Sequence, residues 1–193
     1  AFYGQALYGA SSNSRAGSAV ALNQSGSIVA VGSPYNASNG AQSGQVEVYQ
    51  FLANSWVQIG PDIAGEAALD QSGAAICLSD TGTILAVGAR FNDGNGANSG
   101  QVRVFQYLNS SWVQLGNDID GEMAGDQFGS SVSLSGDGTI VAIGAPFNAG
   151  NGAQSGQVRI FEWVNNTWQQ LGADIDGEWA GEQTGTAVDL SAD

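Results

Sequence analysis

The sequence predicts an all-β fold made of tandem four-stranded antiparallel units, about three and a half repeats of 56 residues, and three observations carry this expectation. Trp56, Trp112 and Trp168 recur at a spacing of 56 residues, as do Gly9, Gly65, Gly121 and Gly177, and Gly17, Gly73, Gly129 and Gly185. Segments 65–120 and 121–176 are identical at 34 of 56 positions without a gap. Within each unit, short apolar-polar alternations are separated by Gly, Asn and Ser turns, and no sustained 3.6-residue apolar period or helix cap is present.

The unit at 121–176 shows the elements in order. Residues 130–134 (Ser-Ser-Val-Ser-Leu) alternate as a half-buried strand does. Ser135-Gly136-Asp137-Gly138 forms a turn. Residues 139–145 are apolar almost throughout, as in a strand covered on both faces. A long Asn/Gly loop covers 148–156. The alternation returns over 157–163, Asn165-Asn166 makes a second turn, and 167–171 forms the fourth strand. The chain divides into an end of a preceding unit or N-terminal cap at 1–8, then units at 9–64, 65–120 and 121–176. A partial unit follows at 177–193, with one strand on which Thr186, Val188 and Leu190 lie.

Four short antiparallel strands per repeat match a β-propeller blade. One such sheet cannot bury both its faces, whereas stacked neighbours can. The expected core between blades is therefore Val20, Ile76, Val132 and Val188 from the first strand, and Ile28, Ile84 and Ile140 from the second. Trp56, Trp112 and Trp168 are expected to cover the outer edge or wedge between blades.

Phe128-Gly129-Ser130-Ser131-Val132, followed by Val141-Ala142-Ile143-Gly144-Ala145-Pro146, resembles the FG-GAP repeat of integrin α chains and many secreted proteins. The other copies are degenerate: Ser72-Gly73 with Gly88-Ala89-Arg90, and Ala16-Gly17 with Gly32-Ser33-Pro34. The Trp-x-Gln-Leu-Gly ending and the Asp-Ile-Asp-Gly-Glu linker are similar to a bacterial and algal subfamily. The resemblance implies a β-propeller. Integrin-type repeats carry a calcium loop between strands one and two. Here that turn is Asn23-Gln24-Ser25-Gly26, Ser79-Asp80-Thr81-Gly82 or Ser135-Gly136-Asp137-Gly138, too short and too poor in oxygen ligands for such a site.

Charge narrows the partners. Eighteen acids face four bases, all arginine (Arg15, Arg90, Arg103 and Arg159), for a net charge of −14, with no lysine or histidine. This balance repels nucleic acid and anionic membrane surfaces. No stretch approaches a membrane-spanning length, and a chain starting at Ala1 without a signal peptide reads as processed or trimmed. The single cysteine, Cys77, aligns with Ala21, Ser133 and Asp189, as a small strand residue does.

Eleven acids cluster in the segments joining repeats: Asp62, Glu66 and Asp70; Asp118, Asp120, Glu122 and Asp126; Asp174, Asp176, Glu178 and Glu182. Two readings compete: calcium held between blades, with the last eight as ligands, or a solvated acidic rim that caps backbone amides. The loop Asn92-Asp93-Gly94-Asn95-Gly96 replaces Asp93 by Ala37 and Ala149 in the other copies, so its asparagines are read as turn formers. Sequons start at Asn23, Asn36, Asn109 and Asn165; the equivalent pair Asn109 and Asn165, at a hairpin tip, is the better candidate for glycans. Without His or Lys, no Ser-His-Asp, Cys-His or Schiff-base site can be assembled, and repeated acids are unlike a singular catalytic pair, so no enzyme and no cofactor other than calcium is expected.

These features point to an extracellular or cell-surface protein. The first expectation is a coat or fibre subunit that self-associates head to tail, its orphan strand at 186–190 pairing with another chain. The alternative is an adhesion propeller that binds a protein or glycan, of which this chain is a fragment.

Overall fold

The computed structural model describes residues 4–192; Phe2 and Tyr3 of the N-terminal segment lie outside the described residues. The first blade contains β1 (Ala19–Leu22), β2 (Ile28–Gly32), β3 (Gln45–Leu52) and β4 (Ser55–Gln58). The second contains β6 (Ala75–Leu78), β7 (Ile84–Ala89), β8 (Gln101–Leu108) and β9 (Ser111–Gln114), and the third β11 (Ser131–Leu134), β12 (Ile140–Ala145), β13 (Gln157–Val164) and β14 (Thr167–Gln170). Each is an antiparallel meander, with registers such as Val132↔Ile143, Ala142↔Ile160 and Trp163↔Trp168 in the third. No helix occurs among the described residues.

Each sheet has one more strand than expected. The segments joining blades contain β5 (Ile63–Ala64), β10 (Ile119–Asp120) and β15 (Ile175–Asp176). Each pairs with the start of its blade's third strand, as in Val46↔Ile63, while the fourth strand pairs with the other half of that strand. Two residues are too few to show alternation, so these strands are invisible to sequence pattern.

The core lies between blades. Ile28, Ala30, Val46, Val48 and Ile63 of the first blade pack on Leu85, Val87 and Phe105 of the second. Ile84, Ala86, Val102, Val104 and Ile119 of the second pack on Val141, Ile143 and Phe161 of the third. Successive residues of β7 thus serve opposite junctions, which is why this strand is apolar throughout. Where a blade has no neighbour, the expected core residue lies open. Val20 is 57% exposed, whereas Ile76 and Val132, at the same position in the second and third blades, pack against the junction clusters.

Glycines set the closeness of stacking. Gly129 donates to the Gly144 carbonyl within the third blade, and its own carbonyl lies over Gly88 of the second. A Cβ on Gly88 would overlap that oxygen, so the backbones meet this closely only with glycine there.

The strand expected at 186–190 is not formed. The segment lies along β11, with Leu190 N–H donating to Ser133 Oγ at 3.0 Å and Gly136 N–H to the Ala192 carbonyl at 3.0 Å. The second contact repeats at the inner junctions, where Gln24 N–H donates to the Asp80 carbonyl and Asp80 N–H to the Gly136 carbonyl. Residues 186–192 therefore occupy the place of a fourth blade's first strand, but among the described residues no second strand lies beside them to form a ladder. Thr186 is exposed, and Val188 and Leu190 are half-buried against the third blade.

Candidate functional site: blade junctions, open faces and the acidic rim

The third and fourth strands of one blade grip the linker of the blade before it. Arg103 on β8 donates to the Ala64 carbonyl at 2.8 Å, with its guanidinium 3.6 Å from Glu66 Oε1. Arg159 on β13 donates to the Asp120 carbonyl at 3.1 Å and lies 3.8 Å from Glu122. Trp112 and Trp168 donate their indole N–H to the carbonyls of Ile59 (3.0 Å) and Leu115 (2.8 Å). Each tryptophan pairs with the aromatic ring opposite it on the third strand (Tyr107–Trp112, Trp163–Trp168), and that ring pair covers a linker glycine, Gly60 or Gly116, held at positive φ. The tryptophans therefore wedge between blades.

The first blade departs from this pattern. Glu47 stands where the second and third blades carry Arg103 and Arg159, and Tyr49 where they carry Phe105 and Phe161. Burial, then the nearby Asp62 carboxylate, pushes Glu47 above the usual carboxylate range. Burial, with Glu47 and Asp62 beside it, pushes Tyr49 up to about 12. Both line a cavity of about 270 Å³ with Leu7, Val20, Val29 and Val31, on the face where no preceding blade stands. The opposite end is also open: Ile175 is 52% exposed, against 6% for Ile63 and 5% for Ile119. Space above Gly172 is empty, whereas rings cover Gly60 and Gly116.

The acids proposed as calcium ligands do not converge; among the described residues no three acidic side chains form a cation site. Most of their oxygens meet local partners. Asp118 and Asp174 accept from Gln114 and Gln170, and Glu122 faces Arg159. Asp126 accepts from Met123 N–H and Asn148 Nδ2, and burial pushes its carboxyl up. Glu182 accepts from the backbone N–H groups of Glu178 and Trp179. Asp120 lies in β10 with its carboxyl raised by burial, and Asp176 and Glu178 are exposed beyond the last blade.

Asn109 and Asn165 are exposed at hairpin tips with φ of 49° and 52°. Asn23 and Asn36 are different: both are buried, and their side-chain oxygens accept from Ile28 N–H and Ser38 N–H. They are turn-closing residues. Cys77 Sγ accepts from Leu134 N–H across a junction, as Ser133 Oγ accepts from Leu190, and burial pushes the thiol up.

Sequence reasoning gave the arginines no role, although Arg103 and Arg159 recur at the repeat spacing and their acid partners recur with them. It also missed a row of exposed apolar side chains in the linker turns. Met123 and Trp179 are equivalent, and Leu69 lies in the same turn of the first linker; all three are exposed on one rim, beside acids.

Stacked antiparallel blades joined by such junctions define a β-propeller-like repeat protein. Residues 119–161, from β10 into β13, match the family profile of the FG-GAP repeat. No curated protein matches the chain in sequence. Solved structures that share its fold include the following two. A Bacteroides uniformis protein assigned as a 6-phosphogluconolactonase superposes with a TM-score of 0.56 at 12% identity, over 81% of this chain and 39% of that one. Kuenenia stuttgartiensis hydrazine synthase superposes with a TM-score of 0.51 at 14% identity, over 82% of this chain and 36% of that one. The chain thus spans well under half the length of either protein.

Proposed function

We propose that this chain is a non-enzymatic, extracellular repeat scaffold of adhesion type, which recognises a protein or glycan surface with its linker rim. The observation that carries this reading is the row of Leu69, Met123 and Trp179, exposed at repeat positions among carboxylates and held by a rigid blade stack. Exposed aromatic and thioether side chains on a fixed support suit recognition. The absence of His and Lys from the sequence removes the usual bases and amine nucleophiles. Array binding of the purified chain, compared with Met123→Ser/Trp179→Ser, tests it. Binding that falls at least about tenfold in the variant with unchanged thermal stability supports the reading. Binding indifferent to both changes contradicts it.

A structural coat or fibre is a second reading, favoured by the exposed apolar faces at both ends of the blade stack. Light scattering of the purified chain tests it, and a monomer at all concentrations counts against self-assembly.

A further inference from the structure

We infer that Asn39, Asn95 and Asn151 are self-modifying sites that lose their side-chain amide to the glycine that follows, that Asn151 converts before Asn95, and that each conversion frees the linker turn its amide holds. The chain has three Asn-Gly steps, at 39–40, 95–96 and 151–152, each followed by alanine. Glycine offers no side chain against ring closure. Its backbone nitrogen attacks the asparagine Cγ, forming a new C–N bond and a cyclic imide. Nδ2 leaves as ammonia, taking the glycine amide proton. Water then opens the imide at either carbonyl, which leaves aspartate or isoaspartate. All three asparagines are exposed to that water.

The same amides clamp the long loop of each blade to the linker turn after it. Asn39 Nδ2 donates to the Gly65 and Glu66 carbonyls at 2.9 and 2.8 Å, and Asn95 Nδ2 to those of Gly121 and Glu122 at 2.9 and 3.0 Å. A carboxylate in that place has no proton to donate and faces carbonyl oxygens instead. Bonds that pin Nδ2 also oppose ring closure, so the loop must open locally before it reacts. Asn95 and Asn151 share the sequence Gly-Asn-Gly-Ala and differ in how firmly they are held. Asn151 Nδ2 makes a single such bond, to the Gly177 carbonyl at 3.1 Å. The attacking nitrogen is looser too: Gly96 N–H donates to the Asp93 carbonyl at 3.1 Å, and Gly152 N–H to that of Ala149 at 3.3 Å. Asp93 further braces its loop by accepting from Asn98 N–H, which Ala149 cannot do. Buried Asp126 anchors the turn that Asn95 holds, whereas exposed Glu182 anchors the turn that Asn151 holds. That second turn carries Trp179, but the chemistry stands whether or not the rim binds a partner.

Timed incubation of the intact chain at mildly alkaline pH, followed by proteolysis and mass spectrometry, measures conversion at each site. In unfolding urea, Asn95 and Asn151 should convert at equal rates, because their flanking residues are the same. In buffer, Asn151 should convert at least about threefold faster than Asn95, the effect of one hydrogen bond fewer on local opening. Hydrogen exchange of two product mimics reads the released turns. Asn151→Asp should speed exchange over 178–183, and Asn95→Asp over 122–127, each about threefold or more. Near-UV circular dichroism confirms that both variants fold. Equal rates in buffer, a faster Asn95, or no conversion in the folded chain overturns the inference, as does unchanged exchange in either variant.

Discussion

Arg103→Met separates the two bonds that the arginine makes across the first junction. The side chain is 9% exposed and donates to the Ala64 carbonyl at 2.8 Å, whereas the ion pair at 3.6 Å is to Glu66, a side chain 42% exposed. A hydrogen bond from a charged donor contributes about 1.5–3 kcal/mol. An ion pair with a half-exposed partner contributes about 0.2–1 kcal/mol. Methionine keeps most of the apolar stem over Phe105, whose ring lies 5.3 Å from the guanidinium. Arg103→Met is therefore expected to cost about 2–3 kcal/mol and Glu66→Gln less than about 1 kcal/mol. With a urea slope of about 2–3 kcal/mol/M, the first change lowers the midpoint by about 1 M. Tryptophan fluorescence during urea unfolding reads both. Glu66→Gln costing as much as Arg103→Met would show that the ion pair, not the carbonyl bond, holds the junction, and the reasoning would be wrong.

Three further outcomes are expected. Gly116→Ala should cost more than Gly172→Ala in thermal unfolding, since both sit at positive φ but only Gly116 is covered by Trp163 and Trp168; the Gly172 change should cost about 1 kcal/mol. Glu47, Asp120 and Asp126 are held above their ordinary values mainly by burial, so the stability they add is fully present below the ordinary carboxylate range and is lost as pH rises through their folded values. The melting temperature should therefore be higher at pH 5 than at pH 7.5, and Asp126→Asn should narrow the difference; Asp137, held low by Thr139 N–H and Ser135, opposes this trend only at more acidic pH. Millimolar calcium, against chelator, should leave the melting temperature unchanged, because the linker acids bond to local amides and guanidinium groups.

The blade architecture was legible in the sequence because each blade needs a neighbour on both sides. That need makes the second strand apolar throughout, visible at 139–145, and fixes glycines where backbones touch, as at Gly88 and Gly129. The fifth strands were not legible, since two residues carry no period. The strand at 186–190 was over-read for a related reason: alternation records which face is buried, whereas a ladder needs a partner strand, and none lies beside these residues among those described. The acids were grouped by their nearness in sequence, and stacking sends them to different partners: Glu122 to Arg159 of the next blade, Asp126 back to Met123 N–H. The rim of Leu69, Met123 and Trp179 escaped notice because exposure cannot be read from residue type when buried neighbours are equally apolar.

The claim that units 56 residues apart lie face to face is tested most directly by Ser133→Cys. Cys77 and Ser133 hold the same position in neighbouring blades, and the Cys77 sulfur already accepts Leu134 N–H at 3.3 Å. Mild oxidation of the dilute variant should consume both thiols within one chain, seen by mass spectrometry as a single disulfide between Cys77 and the introduced thiol in a monomer. Two free thiols, or linkage only between chains, would contradict the stacked arrangement.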